Sequence, residues 1–247
     1  PVCVVYSFLP VVIYFNGIGA PVTMLLTMAL LLLFAIGFCT MTKYVSKPGA
    51  FYDYIGTSFG TKFGGGSAFL ALFAYLFLGT CCFTMFGTYT SKLFTETLGF
   101  QNFNWYIGTA IAIVACSTLA YHRIDLSAKV LSIVMALEIA VVMIFNLSVL
   151  FQGGPEPISL QPFAVSSFIS GEVFLGLLFS VTVFLGFEST AIFRDEVKNP
   201  EKTIPRATYL AVLLIGIFYA FCAWMIITAF GSKEVVKVAQ ENTAGLY

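Results

Sequence analysis

The sequence predicts an all-α, polytopic helical membrane protein, and three observations predict it. Hydrophobic residues make up 59% of the 247-residue chain and charged residues 10%, where soluble domains carry about 45–50% and about 25%. Mean hydropathy is +0.95. The few charges are also segregated. None lies between Pro1 and Thr42, and none separates Lys62 from Lys92, Glu96 from Arg123, or Arg206 from Lys233. Each of these gaps holds at least one stretch of the roughly 20 apolar residues that a helix needs to cross hydrocarbon. Twelve basic and twelve acidic side chains offset one another, so no global field points to nucleic acid.

Seven spans follow along the chain. The first, 2–14, meets Asn16-Gly17-Ile18-Gly19-Ala20-Pro21, a run of helix breakers that reads as a tight turn. Pro21 suits the first turn of the second span, 22–41, because its missing N–H has no partner there. A polar stretch, 42–66, follows, and within it residues 50–55 mix aromatics with few charges, as a short interfacial helix does. The third span is 67–94. The fourth, 105–121, opens on Trp105-Tyr106, where an aromatic belt belongs. A short polar loop, 122–129, leads to the fifth span, 130–151. A Gly/Pro/Ser-rich connection, 152–170, precedes the sixth, 171–193. The charged loop 194–206 precedes the seventh, 207–230. In the third span, Gly79-Thr80-Cys81-Cys82, with Tyr75 one turn earlier, reads as the lining of a polar path or, better, as a small-residue contact between helices. The six cysteines all fall in apolar stretches and read as buried free thiols. With a single histidine, His122, no metal site or cofactor is expected. The chain starts at Pro1 inside an apolar run and stops at Tyr247, and it reads as a fragment cut at both ends.

The loops after spans two, four and six hold Lys43, Lys47, Lys62, Arg123, Lys129, Arg194, Lys198, Lys202 and Arg206, nine of the twelve basic residues. The positive-inside rule therefore places loops 42–66, 122–129 and 194–206 in the cytoplasm.

Ionisable groups inside hydrocarbon are costly and mark function by default. Two lie well inside spans, Glu138 in the fifth and Glu188 in the sixth. Glu188 follows Gly186, a poor helix former, in a stretch crowded with Ser180, Thr182, Ser189 and Thr190. Two readings of this stretch stand on residues alone. It is a discontinuous transporter helix whose broken backbone offers polar groups to a substrate, or it is small-residue packing with Glu188 in a structural hydrogen bond. Glu138 is either a proton-binding carboxyl, its pKa raised by burial, or an internally bonded neutral one.

Gly186-Phe187-Glu188-Ser189, followed by Glu196-Val197-Lys198-Asn199-Pro200 and Ile204-Pro205-Arg206-Ala207, resembles the sixth helix and following loop of amino acid–polyamine–organocation permeases. Asn16 to Pro21 and Lys47-Pro48-Gly49-Ala50-Phe51-Tyr52-Asp53-Tyr54 resemble the loops after helices one and two of that family, so the likeness runs the length of the chain. The resemblance implies a partial inverted-repeat (5+5) transporter fold with broken helices one and six. Residues 1–151 would be the first repeat and 152–247 the start of the second. It also implies a substrate half-site at Thr182, Phe184, Gly186, Phe187 and Glu188, where backbone carbonyls take the substrate ammonium and an aromatic occludes it. Some proton-coupled relatives bear a lysine on helix five in place of a sodium ion, whereas the nearby intramembrane charge in this chain is Glu138. The expected function is a secondary transporter of amino acids or related amines in the plasma membrane. Its partners are the bilayer, the substrate and a coupling ion, proton ahead of sodium. A sodium-coupled or exchange-type carrier and a non-transporting sensor or channel are the alternatives. A membrane enzyme would need acids, His or metal ligands gathered at one depth, which the sequence does not offer.

Overall fold

Helices carry the whole structure, because hydrocarbon offers backbone N–H and C=O groups no partner and a helix pairs them internally. The structure, a computed structural model, describes residues 2–45, 47, 49–99, 103–122 and 124–244. Among these are α1 (Leu9–Asn16), α2 (Ala20–Met41), α3 (Ala50–Phe59), α4 (Thr61–Lys92), α5 (Trp105–His122), α6 (Ile124–Gln152), α7 (Val165–Ile169), α8 (Val173–Val183), α9 (Ser189–Ile192), α10 (Pro200–Phe230) and α11 (Val235–Ala244). Among the described residues, four helical runs are long and apolar enough to cross a membrane: Val4–Met41, Thr61–Glu96, Lys129–Gln152 and Pro200–Phe230. Shorter apolar helices lie at Trp105–Tyr121 and Val173–Val183. The first run holds the first two expected spans, joined through a 3-10 turn at Gly17–Gly19. Pro48 and Arg123 lie outside the described residues, as does the side chain of His122.

Local chemistry explains where the helices bend and start. Pro10 has no N–H for the Tyr6 carbonyl, and the turn before it opens into a π-helix, Val4–Phe8, in which the Leu9 N–H reaches the Val4 carbonyl. Pro200 forces Asn199 out of the right-handed helical region. Asn199 accordingly sits at φ 55°, ψ 59° and caps α10. The structure departs from the sequence reading at three helix starts. Residues 124–129, expected in a loop, form the first turns of α6. Residues 200–206, expected in a loop, form the first turns of α10, with Pro205 inside the helix. Gly64, Gly65 and Gly66, expected in the polar stretch, belong to α4, since each glycine costs only about 1 kcal/mol of helix propensity.

The chain divides into two compact units. In the unit formed by 1–53 and 136–247, α2 packs along α10, and α1 packs on α8 and α11. Its core gathers Leu9, Val12, Ile13, Met24, Phe184, Val212 and Cys222, each no more than 1% exposed. In the unit 54–135, α4 and α5 cross at Gly87 and Gly108, where an added Cβ on Gly108 would come within 3.1 Å of the Gly87 Cα. Of the residues 79–82 expected at a contact, Gly79 faces open space, with nothing within 4 Å of a built Cβ. Four of the six cysteines expected to be buried, Cys3, Cys81, Cys82 and Cys116, are exposed, while Cys39 and Cys222 are buried. The reason is that apolar faces of membrane helices point outward as readily as inward.

A broken helix as candidate substrate site

The sixth apolar segment is interrupted. α8 ends at Val183 and α9 begins at Ser189. Between them the amides of Phe184, Leu185, Phe187, Ser189, Thr190 and Ala191 donate to carbonyls three residues back, at 3.0–3.4 Å. Gly186 holds φ +100°, a conformation that residues with a Cβ rarely adopt. The Glu188 carboxylate folds back on this turn, with Oε2 accepting the Gly186 N–H at 3.0 Å. Glu188 is 7% exposed. A Cβ built at Gly186 meets nothing within 4 Å, so this peptide borders open space.

The other expected site residues gather on the same turn with different surroundings. Thr182 is half-buried and its hydroxyl donates to the Phe179 carbonyl. Phe184 points into the hydrophobic core, 1% exposed. Phe187 is half-buried and meets Phe38 and Phe34 of α2 edge-on, with centroids 5.9 and 6.2 Å apart. Phe51 of α3 joins the group through Phe38 at 5.1 Å.

Polar contacts fasten both arms of the broken helix. On the α8 arm, the Ser180 and Thr27 hydroxyls hydrogen-bond in the buried interior. Beyond the break, the Thr190 and Thr208 hydroxyls pair at 2.7 Å, tying α9 to α10. Arg194 Nη1 donates to the Thr42 carbonyl at 2.6 Å. That places a cation at the negative end of α2, where a charge-assisted bond is favoured.

Glu138 is held elsewhere. Its Oε2 accepts the Val2 N–H at 3.3 Å. On α10, Cys222 Sγ accepts the Asn146 amide at 3.2 Å, and the Asn146 Oδ1 is buried without a partner. Glu138 is thus tied to Val2, and the Gly186 N–H is taken by Glu188.

The sequence reading missed Asn16. It is fully buried, donates its amide to the Phe168 carbonyl at 2.9 Å and accepts the Thr23 hydroxyl through Oδ1. It joins the end of α1 to α2 and α7. The available signal was an amide side chain inside a breaker run, which turn chemistry alone also explains. The Arg194–Thr42 contact left no local signal at all, because its partners lie 152 residues apart.

Comparison with known proteins agrees with this architecture. The model of the amino acid permease family matches residues 2–247. The L-methionine/branched-chain amino acid exporter YjeH of Escherichia coli (strain K12) is 25% identical over 223 residues, covering 86% of this chain and 49% of its own. The branched-chain amino acid permease BcaP of Bacillus subtilis (strain 168) is 29% identical over 109 residues, covering 44% of this chain and 23% of its own. The chain thus spans about half the length of the first relative or less of the second, and no solved structure matches it. The chain belongs to the amino acid permease family and is a multi-pass protein of the cell membrane.

Proposed function

We propose that the protein is a secondary carrier of amino acids or related amines that works by alternating access, and that the turn from Phe184 to Glu188 is half of its substrate site. The observation that carries this reading is the interrupted backbone at Gly186, closed by a buried carboxylate and bordering open space. Backbone carbonyls of such a turn suit a substrate ammonium. Thr182 and Gly186 shape the turn, Phe184 anchors it in the core, and Phe187 is the aromatic placed to occlude a bound substrate. Glu188 keeps the Gly186 peptide oriented. In this reading residues 1–151 are the first repeat and 152–247 the start of the second. Loops 42–66, 122–129 and 194–206 face the cytoplasm.

Glu138 is the proposed proton site. It is an ionisable group within an apolar span, and the amide it accepts is that of Val2, just ahead of the run Val4–Met41. Protonation would weaken that bond and let the α1 region move, which is how a proton could drive transport. The names of the relatives make methionine and the branched-chain amino acids the first substrates to test.

The test is uptake by the full-length protein in proteoliposomes, using radiolabelled methionine, leucine, isoleucine, valine and a polyamine. A proton gradient, a sodium gradient and no gradient are compared. Saturable uptake with counterflow, driven by protons, is expected. An open pore would give no counterflow, and uptake of none of these compounds would overturn the reading. Because the E. coli relative is named an exporter, efflux from preloaded vesicles is followed in parallel. Glu188→Gln is expected to lower uptake at least tenfold with the protein still folded. Unchanged transport would remove Glu188 from the site. Glu138→Gln is expected to abolish the response to the proton gradient while counterflow persists.

A further inference from the structure

The connection between α6 and α7 is fastened to the end of α10. Gly154 lies so close that an added Cβ would collide with the Thr228 carbonyl. Trp224 Nε1 donates to the Ser159 carbonyl at 2.9 Å, and the Trp224 ring meets Phe163 edge-on at 5.4 Å. From this anchored loop Glu156 reaches beyond α10. Its Oε2 accepts the Ser232 N–H at 3.1 Å and its Oε1 accepts the Ser232 hydroxyl at 2.9 Å. Ser232 follows Gly231, which ends α10 at φ +80°, a backbone state glycine takes without steric cost.

Beyond this hinge, α11 lies on α1. Val235 and Ala239 are buried there, 1% and 4% exposed. Together with Val5, Ile13, Val142 and Ile226, these α11 residues line a half-open apolar cavity of about 310 Å³. α11 is thus one wall of a cavity whose other walls are spans. Its connection to α10 is only residues 231–234.

We propose that Glu156 and Ser232 form a clasp that holds α11 down on α1 as the movable wall of this cavity, with Gly231 as the pivot. A carboxylate that accepts both an N–H and an O–H makes charge-assisted bonds, roughly twice as strong as neutral ones. The two Ser232 bonds, with Lys233 adding to them, hold the Glu156 carboxyl below its ordinary value of 4.5. The folded state therefore favours the carboxylate. Its contribution is complete above the ordinary glutamate range and disappears as pH falls through the lowered value. Few other charges bear on it. The turn and α11 bring Lys233, Glu234, Lys237 and Glu241, of which Glu234 and Lys237 pair with each other at 3.3 Å. α1 brings none, nor does α10 between Arg206 and Lys233.

The test uses the full-length protein in proteoliposomes with its natural cysteines replaced. A single reporter, V235C in the cavity wall or A223C in the α10 core, is labelled with a water-soluble methanethiosulfonate at one neutral pH. E156A is expected to speed labelling at position 235 about tenfold or more, the population change that follows from losing a hydrogen bond to a charged group. E156Q, which keeps a neutral acceptor, is expected to speed it less. Labelling at position 223 should stay slow in both. An unchanged rate at position 235 overturns the clasp. So does equal acceleration at both positions, which would mean that Glu156 supports the whole unit rather than α11.

Discussion

α4 and α10 are almost the same object by composition and differ in what surrounds them. They run 32 and 31 residues, and their most apolar windows have mean hydropathies of 2.0 and 2.6. Yet 44% of the α10 window is buried within the chain and 6% of the α4 window. α10 packs on α2 with a close approach at Gly216, where a Cβ would press on the Met28 side chain. α4 turns Phe69, Leu70, Phe73, Leu76 and Phe77 outward. Hydropathy reports that a helix can live in lipid. It does not report which face meets protein, because hydrocarbon and a protein core are equally apolar.

The strongest way to break this comparison is to add one methyl group to each side. Gly171→Ala, in the unit that holds α10, sets a Cβ 2.7–2.8 Å from backbone atoms of Asn16, which cannot rotate away. Thermal unfolding in detergent is expected to show a loss of about 1–3 kcal/mol or more. Gly79→Ala on α4 meets open space and should gain up to about 1 kcal/mol from helix propensity. Equal effects at the two positions would mean that the contrast in burial has no energetic content.

Next in size is the loss of a polar group. Asn16→Ala takes the amide donor from the Phe168 carbonyl and leaves the Thr23 hydroxyl only its bond to the Gly19 carbonyl, at an expected cost of about 1–3 kcal/mol. Thr84→Ala on α4 removes a hydroxyl that bonds only its own helix, to the Thr80 and Cys81 carbonyls. It should shift stability by less than about 0.5 kcal/mol. A smaller effect is expected at the Thr190–Thr208 pair. A double-mutant cycle to valine should return a coupling of about 0.5–1.5 kcal/mol, and zero coupling would detach α9 from α10. The smallest expected effect is on acid titration. The gap in melting temperature between the parent and Glu156→Gln should narrow as pH falls below the ordinary glutamate value of 4.5. A gap that widens in acid would contradict the lowered pKa.

What the sequence reveals and what it hides follow the same division. The apolar segments are legible because charge is excluded from them over whole spans. The interruption at Gly186 is legible because a glycine beside Glu188 breaks both helix propensity and hydrocarbon chemistry at one point. Asn199 is legible through Pro200, a constraint between neighbours. Pro205 misleads, since a proline near a helix start is tolerated in place and need not end anything. The buried ties escape entirely. Asn16 reaches Phe168, Arg194 reaches Thr42 and Glu156 reaches Ser232 across 152, 152 and 76 residues. A single hydrogen bond between distant residues leaves no periodicity to read.

The broken helix can also be viewed as a fractured rod bound to a splint. α2 runs beside it from the Thr27–Ser180 hydroxyl pair, past Phe34 and Phe38 against Phe187, to the Thr42 carbonyl under Arg194. The two end ties lie fifteen residues apart on α2, about 22 Å of helix. They are unequal, one between neutral hydroxyls and one charge-assisted, and the charge-assisted bond is roughly twice as strong. Packing works the other way, since α8 lies against α1 and α2 and ends at the buried Phe184, whereas the short α9 arm is tied through the Thr190–Thr208 pair and Arg194. Spin-label distances from α2 are expected to be narrow for α8 and broader beyond α9, and the reverse order would put the loose end on the other side of the fracture.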